Sequence, residues 1–293
     1  PRRPRPRRRP PRRPRAETAP ASRRPLDAEL VRRGLCNDRD GARSLIERGL
    51  VRVAGAPATN PSRLVTAAEA VVVTAPPPRY VSRGGQKLEA ALHGFDIDLA
   101  GRRVLDAGSS TGGFTACALQ AGAAEVVAVD VGRGQLHRRL LLDPRVRVHE
   151  RTNIRQVDPA DLGGRAEVVV ADLSFVSLRV LADALLGLAA PGATLVWLIK
   201  PQFEAERGEV ALGRGVITDP AIWRRTLLDV CAALDQRGAA IMGVMASPLR
   251  GADGNVEFLL HALAPGHGAS SSASIADLVD GAVGQAASGV AGS

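Results

Sequence analysis

The segment LDAGSSTGGFT, residues 105–115, follows an apolar run and contains three glycines within six residues. An apolar strand that leads at once into a glycine-rich turn and a helix is typical of the first βα unit of a doubly wound sheet. Glycines at this turn let the backbone approach a ligand closely. Ser110 stands where the dinucleotide fingerprint G-x-G-x-x-G has its second glycine, so the segment disfavours a dinucleotide cofactor.

Apolar runs recur on both sides of this segment, separated by stretches of helical length. The runs cover residues 104–107, 125–129, 145–148, 167–171 and 194–199. Alternation of this kind predicts an α/β fold with a parallel sheet whose ligands gather at the carboxyl ends of the strands. Functional residues are therefore expected directly after these runs.

Charged residues do follow three of the runs. Asp130 ends the second run at a distance suited to a carboxylate that holds two ribose hydroxyls. Asp172 follows EVVVA, and Lys200 follows TLVWLI. A glycine-rich turn alone is weak evidence, since any tight strand-to-helix turn can use one. The turn with Asp130 and the strand pattern together are strong evidence for a nucleoside-type ligand.

Lysine is scarce in this chain. Of 39 basic residues only Lys87 and Lys200 are lysines, and the others are arginines. Arginine stays charged in proteins, whereas a lysine can lose its proton when it is buried or placed beside another cation. Both lysines are therefore candidates for proton transfer. The alternative is that drift towards arginine left two surface lysines without a function.

The N-terminal part is strongly basic. Residues 1–24 form a Pro/Arg-rich stretch that we expect to be a disordered arm, and residues 25–75 predict a small α+β unit of two short helices followed by strands. Asp27 and Asn37 are expected to cap the two helices. The polar side of this unit carries Arg32, Arg33, Arg43, Arg48 and Arg52. On pattern alone, RNA binding and an ordinary solvated face are equally good readings.

Composition marks further boundaries along the chain. Three prolines open a stiff linker, residues 76–82, and the main domain should cover residues 83–264. Residues 265–293 are mostly Ala, Ser and Gly, and we expect a tail of unknown order. No apolar run approaches the roughly 20 residues of a membrane helix, so we expect a cytoplasmic protein without a membrane partner. The cysteines and histidines show no metal-ligand spacing, and no metal site is expected.

The small unit resembles a known RNA-binding domain. The stretches LDAELVRRGL and DRDGARSLIERGLVRVAG are similar to the S-four-type domain first seen in a ribosomal small-subunit protein. That resemblance implies a concave basic face that grips folded RNA, mainly through phosphates and shape. The residues expected to contact RNA are Arg32, Arg33, Arg43, Arg48, Arg52, Tyr80, Arg83 and Phe175.

The main domain resembles class I methyltransferases, in which a glycine-rich turn and a second acidic residue hold S-adenosylmethionine. The resemblance implies a Rossmann-like sheet of six parallel strands and one antiparallel strand. It also implies this cofactor for the present chain. The cofactor-binding residues would be Asp106, Gly108, Ser109, Ser110, Thr111, Gly112, Gly113, Phe114, Asp130 and Val131.

Four residues from separate segments match the Lys-Asp-Lys-Glu tetrad of FtsJ-like ribose 2′-O-methyltransferases. They are Lys87 in SRGGQKL, Asp172, Lys200, and Glu257 in GNVEF. The whole chain is identified as a member of the TlyA family, in which an S-four-type domain precedes an FtsJ-like domain. Membership implies methylation of the 2′-hydroxyl of cytidine ribose in small- or large-subunit ribosomal RNA. The expected partner is ribosomal RNA or a ribosomal subunit, with no obligate protein partner.

We assign the catalytic roles as hypotheses. A ribose hydroxyl is a poor nucleophile until its proton is drawn away, and a neutral amine nearby could accept that proton. Lys200 is therefore expected to act as general base and Asp172 to hold it, with Lys87 and Glu257 positioning the ribose. Two alternatives remain: a catalytically silent RNA-binding assembly factor, and a haemolysin-type membrane-active protein. Loss of a site residue would have favoured the first, and a membrane segment would have favoured the second.

Overall fold

The structure is a computed structural model that describes residues 23–36, 38–74, 79–266 and 274–289. The chain divides after Pro78 into two compact units, called here unit 1 and unit 2. Most of the predicted arm, the prolines of the predicted linker and parts of the predicted tail lie outside the described residues. Arg23 and Arg24, which we placed in the arm, belong to the first strand of unit 1.

Unit 1 is a small α+β fold. Its elements are β1 (Arg23–Pro25), α1 (Leu26–Arg32), α2 (Arg39–Glu47), β2 (Val51–Val53), β3 (Ala56–Pro57), β4 (Leu64–Thr66) and β5 (Val71–Val73). Strands β1 and β4 pair antiparallel, and β2 lies between β3 and β5 in a second antiparallel sheet. Buried Leu26, Leu30 and Ile46 join the two helices to the strands in one apolar core.

The helix starts of unit 1 differ from our expectation. Helix α2 is capped by Asp38, whose carboxylate accepts a hydrogen bond from the Gly41 amide at 2.7 Å, while Asn37 lies outside the described residues. Helix α1 starts after Pro25 without a side-chain cap. Asp27 therefore does not cap it, because its carboxylate is buried and accepts hydrogen bonds from Arg39 and Arg43 instead.

Unit 2 contains the strands that the apolar runs predicted. Its elements are α3 (Gly84–Gly94), β6 (Arg103–Ala107), α4 (Gly113–Gln120), β7 (Glu125–Val129), α5 (Arg138–Leu141), β8 (Val146–His149), β9 (Ala166–Ala171), α6 (Leu178–Leu188), β10 (Ala189–Ile199), α7 (Pro201–Glu204), α8 (Arg207–Leu212), α9 (Pro220–Asp235), β11 (Ala240–Ala246), β12 (Phe258–Leu263) and α10 (Ile275–Ala287). None of the described helices is long and apolar enough to cross a membrane.

The seven strands of unit 2 form one sheet in the order β11-β12-β10-β9-β6-β7-β8. Strand β12 runs antiparallel to both of its neighbours, and the other pairs are parallel, which confirms six parallel strands and one antiparallel strand. The chain moves outward from β6 to β8 and then returns to β9 on the other side of β6. The carboxyl ends of β6, β7 and β9 therefore flank the point where ligands bind in such sheets.

Helices cover both faces of this sheet. Trp197 and Trp223 lie in the core on one face, and Leu88, Val104 and Phe114 lie in the core on the other. Helix α10 belongs to the first of these cores, because its buried Val279 side chain joins α9 and β11. Part of the stretch that we expected to be a tail of unknown order is therefore a packed helix.

Candidate active site and candidate RNA-binding face

A cavity of about 590 Å³ opens at the carboxyl ends of β6, β7, β8 and β9. Its walls come from the loops that follow these four strands. The lining residues are Gly108, Ser110, Val129, Asp130, Val131, Gln135, Thr152, Asn153, Ile154, Arg155, Asp172, Leu173, Ser174, Phe175, Val176 and Leu181. Five of the residues that we expected to hold a cofactor or RNA, together with Asp172, are among them.

The turn after β6 requires glycine at its first position. Gly108 has a φ of +84°, and a Cβ atom placed on it would lie 2.7 Å from the backbone oxygen of Asp172. The Asp172 amide in turn donates to the Ala107 carbonyl at 3.1 Å. An L side chain at Gly108 would push the ends of β6 and β9 apart, so this glycine keeps the two strand ends together.

Asp130 is fixed at the wall of the cavity. Its two carboxylate oxygens accept hydrogen bonds from the Ser110 amide at 2.8 Å and the Gly132 amide at 2.6 Å. These bonds hold the carboxylate in one orientation. Because a carboxylate offers about four lone pairs, the remaining ones can accept bonds from a diol.

Asp106 differs from our expectation. Its side chain is fully buried, accepts a hydrogen bond from the Thr115 hydroxyl at 2.6 Å, and does not line the cavity. Burial raises its pKa to about 7, because the charged form would lose its hydration without gaining a cation, and Asp172 adds a repulsive charge. Asp106 therefore fastens the start of α4 to β6 rather than facing a ligand.

The rest of the predicted glycine-rich loop turns away from the cavity. Helix α4 begins directly after Gly112, so the side chains that follow pack into the core. The predicted cofactor residues outside the lining are Asp106, Ser109, Thr111, Gly112, Gly113 and Phe114. Ser109 and Phe114 are buried, whereas Thr111 is exposed.

Sequence reasoning missed the wall that follows β8. Thr152, Asn153, Ile154 and Arg155 line the cavity, and Gln135 joins them from the loop after β7. A signal for these residues was present, since the loop after the third apolar run had to end at the same edge of the sheet.

Lys200 directly follows β10 and is 9% exposed. Its Nζ atom lies 2.7 Å from Oδ1 of Asp172 and donates to the Ser174 hydroxyl at 2.8 Å. The ring of Phe203 lies 5.9 Å from Nζ, near the outer limit of a cation–π contact. Lys200 reaches the cavity only through Asp172 and Ser174, which both line it.

Lys87 and Glu257 form the second pair. Both side chains are buried, and Nζ of Lys87 donates to Oε2 of Glu257 in a short hydrogen bond. Gly84 lies one helical turn before Lys87, and a Cβ atom placed on it would lie 3.7 Å from Oδ2 of Asp172. The helix that carries Lys87 thus starts beside the partner of Lys200, and the two lysine–carboxylate pairs lie at the same edge of the sheet.

Phe175 is unusual in conformation and exposure. Its φ is +64°, a region that bulky residues rarely adopt, and its side chain is 91% exposed. The Phe203 ring, at 5.2 Å between centroids, is its neighbour. Strain of this kind is retained at functional sites when the surrounding structure enforces it. The ring is available to a ligand rather than packed in the core.

Glu204 is a buried carboxylate that sequence reasoning did not single out. It accepts hydrogen bonds from the Leu178 amide at 2.6 Å and from the Ser177 hydroxyl, and it pairs with Arg179. Burial raises its pKa, although these bonds act in the opposite direction. The carboxylate thereby joins the turn after Lys200 to the start of α6, and it fixes the end of the loop that carries Ser174 and Phe175.

In unit 1, two buried carboxylates organise arginines on the surface. Glu29 accepts hydrogen bonds from Arg32 and Arg33, and the bonds from Arg32 lower its pKa to about 2 despite its burial. Asp27 pairs in the same way with Arg39 and Arg43. Burial alone would raise the pKa of Asp27, but the bonds from Arg39 and its neighbours outweigh burial, and the pKa is lowered.

The arginines of unit 1 that were predicted to contact RNA differ in how far they are already hydrogen-bonded within the unit. Arg48 and Arg52 are exposed, and Arg52 also donates to the Gly55 carbonyl at 2.8 Å. Arg33 is mostly committed inside the unit, since it donates to the carbonyls of Thr66, Ala67 and Glu69. Arg39 was missed by sequence reasoning and is as exposed as the predicted arginines.

Tyr80 does not present its ring to a ligand. It is 5% exposed, and a Cβ atom on Gly85 would lie 2.3 Å from its ring, so the ring packs on the first turn of α3. We had expected a linker residue with an aromatic contact to RNA. The buried ring belongs to the core of unit 2 instead. Arg83 remains exposed at the start of α3.

Each of the two units matches a known protein family. The family model described as S4 domain matches residues 24–72, and the one described as FtsJ-like methyltransferase matches residues 80–263. The second match covers more than half of the chain. The strand order and the position of the cavity agree with a methyltransferase sheet.

Individual relatives cover almost the same range. The 16S/23S rRNA (cytidine-2'-O)-methyltransferase TlyA of Mycobacterium tuberculosis is 51% identical over 82% of this chain and 90% of its own length. YqxC of Bacillus subtilis, named as an rRNA methyltransferase, is 43% identical over 83% of this chain and 86% of its own. A solved structure from Streptococcus thermophilus, titled a hemolysin, has a TM-score of 0.72 and 34% identity, covering 92% of this chain and 98% of that one. The chain belongs to the TlyA family, with an S4 domain followed by an FtsJ-like methyltransferase domain.

Proposed function

We propose that this protein transfers a methyl group from S-adenosylmethionine to the 2′-hydroxyl of cytidine ribose in ribosomal RNA of the small subunit, the large subunit or both. The observation that carries the proposal is the arrangement of two buried lysines, each paired with a carboxylate, at the edge of a cavity at the strand ends. The names of the curated relatives at 51% identity supply the cytidine and the ribosomal RNA.

The cavity fits the cofactor in size and in chemistry. Its volume of about 590 Å³ lies in the range of small-molecule sites. Asp130 would accept bonds from the ribose hydroxyls, and the backbone at Gly108 and Ser110 allows close approach of the remainder. When bound, S-adenosylmethionine supplies a methyl group on a positively charged sulfur, which makes that carbon open to attack.

The lysine pairs supply the proton chemistry. Nζ of Lys200 would accept the proton of the 2′-hydroxyl as that oxygen took up the methyl group, and the electron pair of the broken carbon–sulfur bond would stay on sulfur. Asp172 holds Nζ at 2.7 Å and balances the resulting ammonium charge. Lys87, kept in place by Glu257, can donate to an oxygen of the substrate ribose.

RNA would be held by arginine and aromatic side chains. In unit 1 the surface arginines include Arg32, Arg43, Arg48 and Arg52, and the buried carboxylates beneath some of them fix their direction. Arginines in such a face bind phosphates and make affinity depend on salt. In unit 2 the exposed ring of Phe175 offers a stacking face for a base that has been turned out of the RNA.

The decisive experiment replaces Lys200 by arginine. Arginine keeps the positive charge but cannot accept the proton, so we expect methyl transfer to fall by about 10²- to 10⁴-fold. Calorimetry should give cofactor and RNA dissociation constants within about twofold of the wild type, because Lys200 acts only in the chemical step. The matched control is Arg237→Lys, a basic exchange at an exposed pair with Asp183.

The same assay distinguishes an RNA-binding assembly factor. The wild-type chain would then bind ribosomal RNA and leave no 2′-O-methyl cytidine when the RNA is mapped with and without the protein. Methyl transfer by Lys200→Arg at the wild-type rate would remove Lys200 from the role of base.

A further inference from the structure

We propose that Ser174 is a positioning residue that, together with Asp172, directs the lone pair of Lys200 towards the hydroxyl to be methylated. The proposal rests on the function proposed above and deepens it, because it explains how the flexible side chain of Lys200 is oriented to act as a base. Ser174 is not part of the Lys-Asp-Lys-Glu tetrad, although it lies between Asp172 and Phe175, which the sequence did indicate.

The argument starts from the number of hydrogens on Nζ. A neutral amine has two N–H bonds and one lone pair in a roughly tetrahedral arrangement, whereas an ammonium has three N–H bonds. Two acceptors surround Nζ of Lys200, namely Oδ1 of Asp172 at 2.7 Å and Oγ of Ser174 at 2.8 Å. Only the contact with Ser174 has the geometry of a hydrogen bond, whereas Asp172 forms an ion pair with Nζ. One N–H bond is therefore directed at Ser174, and this fixes the rotation about Cε–Nζ that sets where the lone pair of the neutral amine points.

The second acceptor matters because one acceptor alone leaves the lone pair free to rotate. With Asp172 as the only partner, Nζ could turn about the Cε–Nζ bond and present its lone pair to any direction around that axis. With Ser174 added, rotation breaks a hydrogen bond to a charged or strongly polar group. In the described part of the chain, no further polar partner of Nζ is seen, and its next neighbour is the Phe203 ring at 5.9 Å.

The Ser174 hydroxyl can orient Lys200 only if the loop that carries this hydroxyl is itself held in place. This loop is fixed at both ends. At its start the Asp172 amide donates to the Ala107 carbonyl at 3.1 Å, and at its end buried Glu204 accepts from the Leu178 amide at 2.6 Å. Between them, Phe175 adopts its left-handed conformation against the Phe203 ring. Glu204 and Phe203 both follow Lys200 within four residues, so the base and its second acceptor are carried by segments that are joined together.

The kinetic test uses Ser174→Ala, which removes the acceptor and leaves a small side chain on the loop. We expect kcat to fall about 10- to 100-fold, as for loss of one hydrogen bond to a charged group. The KM for RNA and the dissociation constant of S-adenosylmethionine should stay within about twofold. Ser174→Thr keeps the hydroxyl and should recover most of kcat. The matched control is Ser288→Ala, a serine near the end of α10 whose hydroxyl bonds only to the Gln285 carbonyl.

A second measurement does not depend on turnover. Because Lys87 and Lys200 are the only lysines, an amine-acylating reagent read out by mass spectrometry reports each of them separately. Ser174→Ala should speed acylation of Lys200 about 3- to 10-fold, since the hydrogen bond that holds its nitrogen is gone and only the ion pair with Asp172 remains. Acylation of Lys87 should not change, and Ser174→Thr should behave as the wild type.

The outcomes separate this proposal from the proposed function. A wild-type chain that methylates no RNA defeats the proposed function, while the acylation rates still decide whether Ser174 holds Lys200. Ser174→Ala with unchanged kcat and unchanged Lys200 acylation overturns the positioning role. A loss of cofactor affinity that accounts for the whole loss of activity also overturns it, because Ser174 would then be a contact of the cofactor.

Discussion

Unit 1 and unit 2 both contain buried carboxylates that pair with basic side chains, but the type and the number of these partners differ between the units. In unit 1, Asp27 and Glu29 each pair with two arginines whose outer parts reach the surface. In unit 2, each of the two lysines has a carboxylate of its own and both are nearly withdrawn from water. Because two arginines share each carboxylate in unit 1, positive charge is in excess at the surface of that unit, and this favours binding of a polyanion. Each lysine of unit 2 thus stays beside one carboxylate and away from water.

The buried carboxylate of Asp106 sharpens this contrast. Asp106 in unit 2 accepts a hydrogen bond from the Thr115 hydroxyl and pairs with no cation among the described residues, and burial raises its pKa to about 7. Glu29 in unit 1 accepts hydrogen bonds from two arginines, and the bonds from Arg32 lower its pKa to about 2. The pKa of a carboxylate in this protein therefore depends on its partners as well as on its burial.

The largest effect is expected where a matched pair is broken. Glu257→Gln leaves the buried ammonium of Lys87 without a counter-charge, and we expect unit 2 to lose about 3 kcal/mol of unfolding free energy. Urea unfolding followed by tryptophan fluorescence measures it, since both tryptophans lie in unit 2. The double variant Lys87→Met with Glu257→Leu should regain most of the loss. A double variant as unstable as the single one would mean that shape, rather than unpaired charge, is the cause.

The second largest effect is expected in the way the stability of unit 2 depends on pH. The folded pKa of Asp106, about 7, lies above its ordinary value of 3.8, so the folded state keeps this proton to a higher pH than the unfolded state does. Stability is therefore expected to fall as pH rises from about 4 to about 7, by an amount on the order of 2 kcal/mol, and then to level off. Tryptophan-detected unfolding over this range measures the slope. Asp106→Asn should flatten that part of the profile, whereas the exposed control Asp253→Asn should not.

Unit 1 should respond to acid in the opposite sense. The folded pKa of Glu29 lies below its ordinary value of 4.5, so its stabilisation is present above about pH 4.5 and is lost as pH falls towards 2. Glu29→Gln should cost unit 1 about 1.5 kcal/mol at neutral pH. Hydrogen exchange of the α1 amides is the measurement, with exposed Glu47→Gln as the control. Equal protection in both variants would show that the arginines hold α1 without this charge.

The smallest effect is expected at an exposed pair. Arg224 and Asp280 join α9 to α10 at 2.6 Å, and both side chains are about half exposed to water. Asp280→Asn should leave the thermal midpoint of unit 2 within error of the wild-type value, because solvent screens such pairs. Thermal unfolding followed by tryptophan fluorescence checks it. A clear drop in the midpoint would show that charge, rather than the buried Val279 face, holds α10 in place.

Sequence patterns gave much of unit 2 and some of its site. The apolar runs predicted the strands, and the residues directly after them, Asp130, Asp172 and Lys200, do stand at strand ends. Sequence patterns gave wrong predictions where the role of a residue depends on the direction in which its side chain points. Asp106 and Tyr80 carry the right chemistry for a ligand, yet both are buried because the chain turns them into the core. Ser174 and Glu204 have no motif of their own and acquire a role only through their neighbours.

By itself the sequence determined the period of the strands, the edge at which polar residues collect, the scarcity of lysine and the basic character of the first unit. These properties are local, since each depends on residue type and spacing along the chain. Tertiary structure brought into contact the residues that the family resemblance had only grouped, since Lys87 and Glu257 are 170 positions apart. It also decided that Ser174 faces Lys200, since that contact requires β9 and β10 to lie side by side in the sheet.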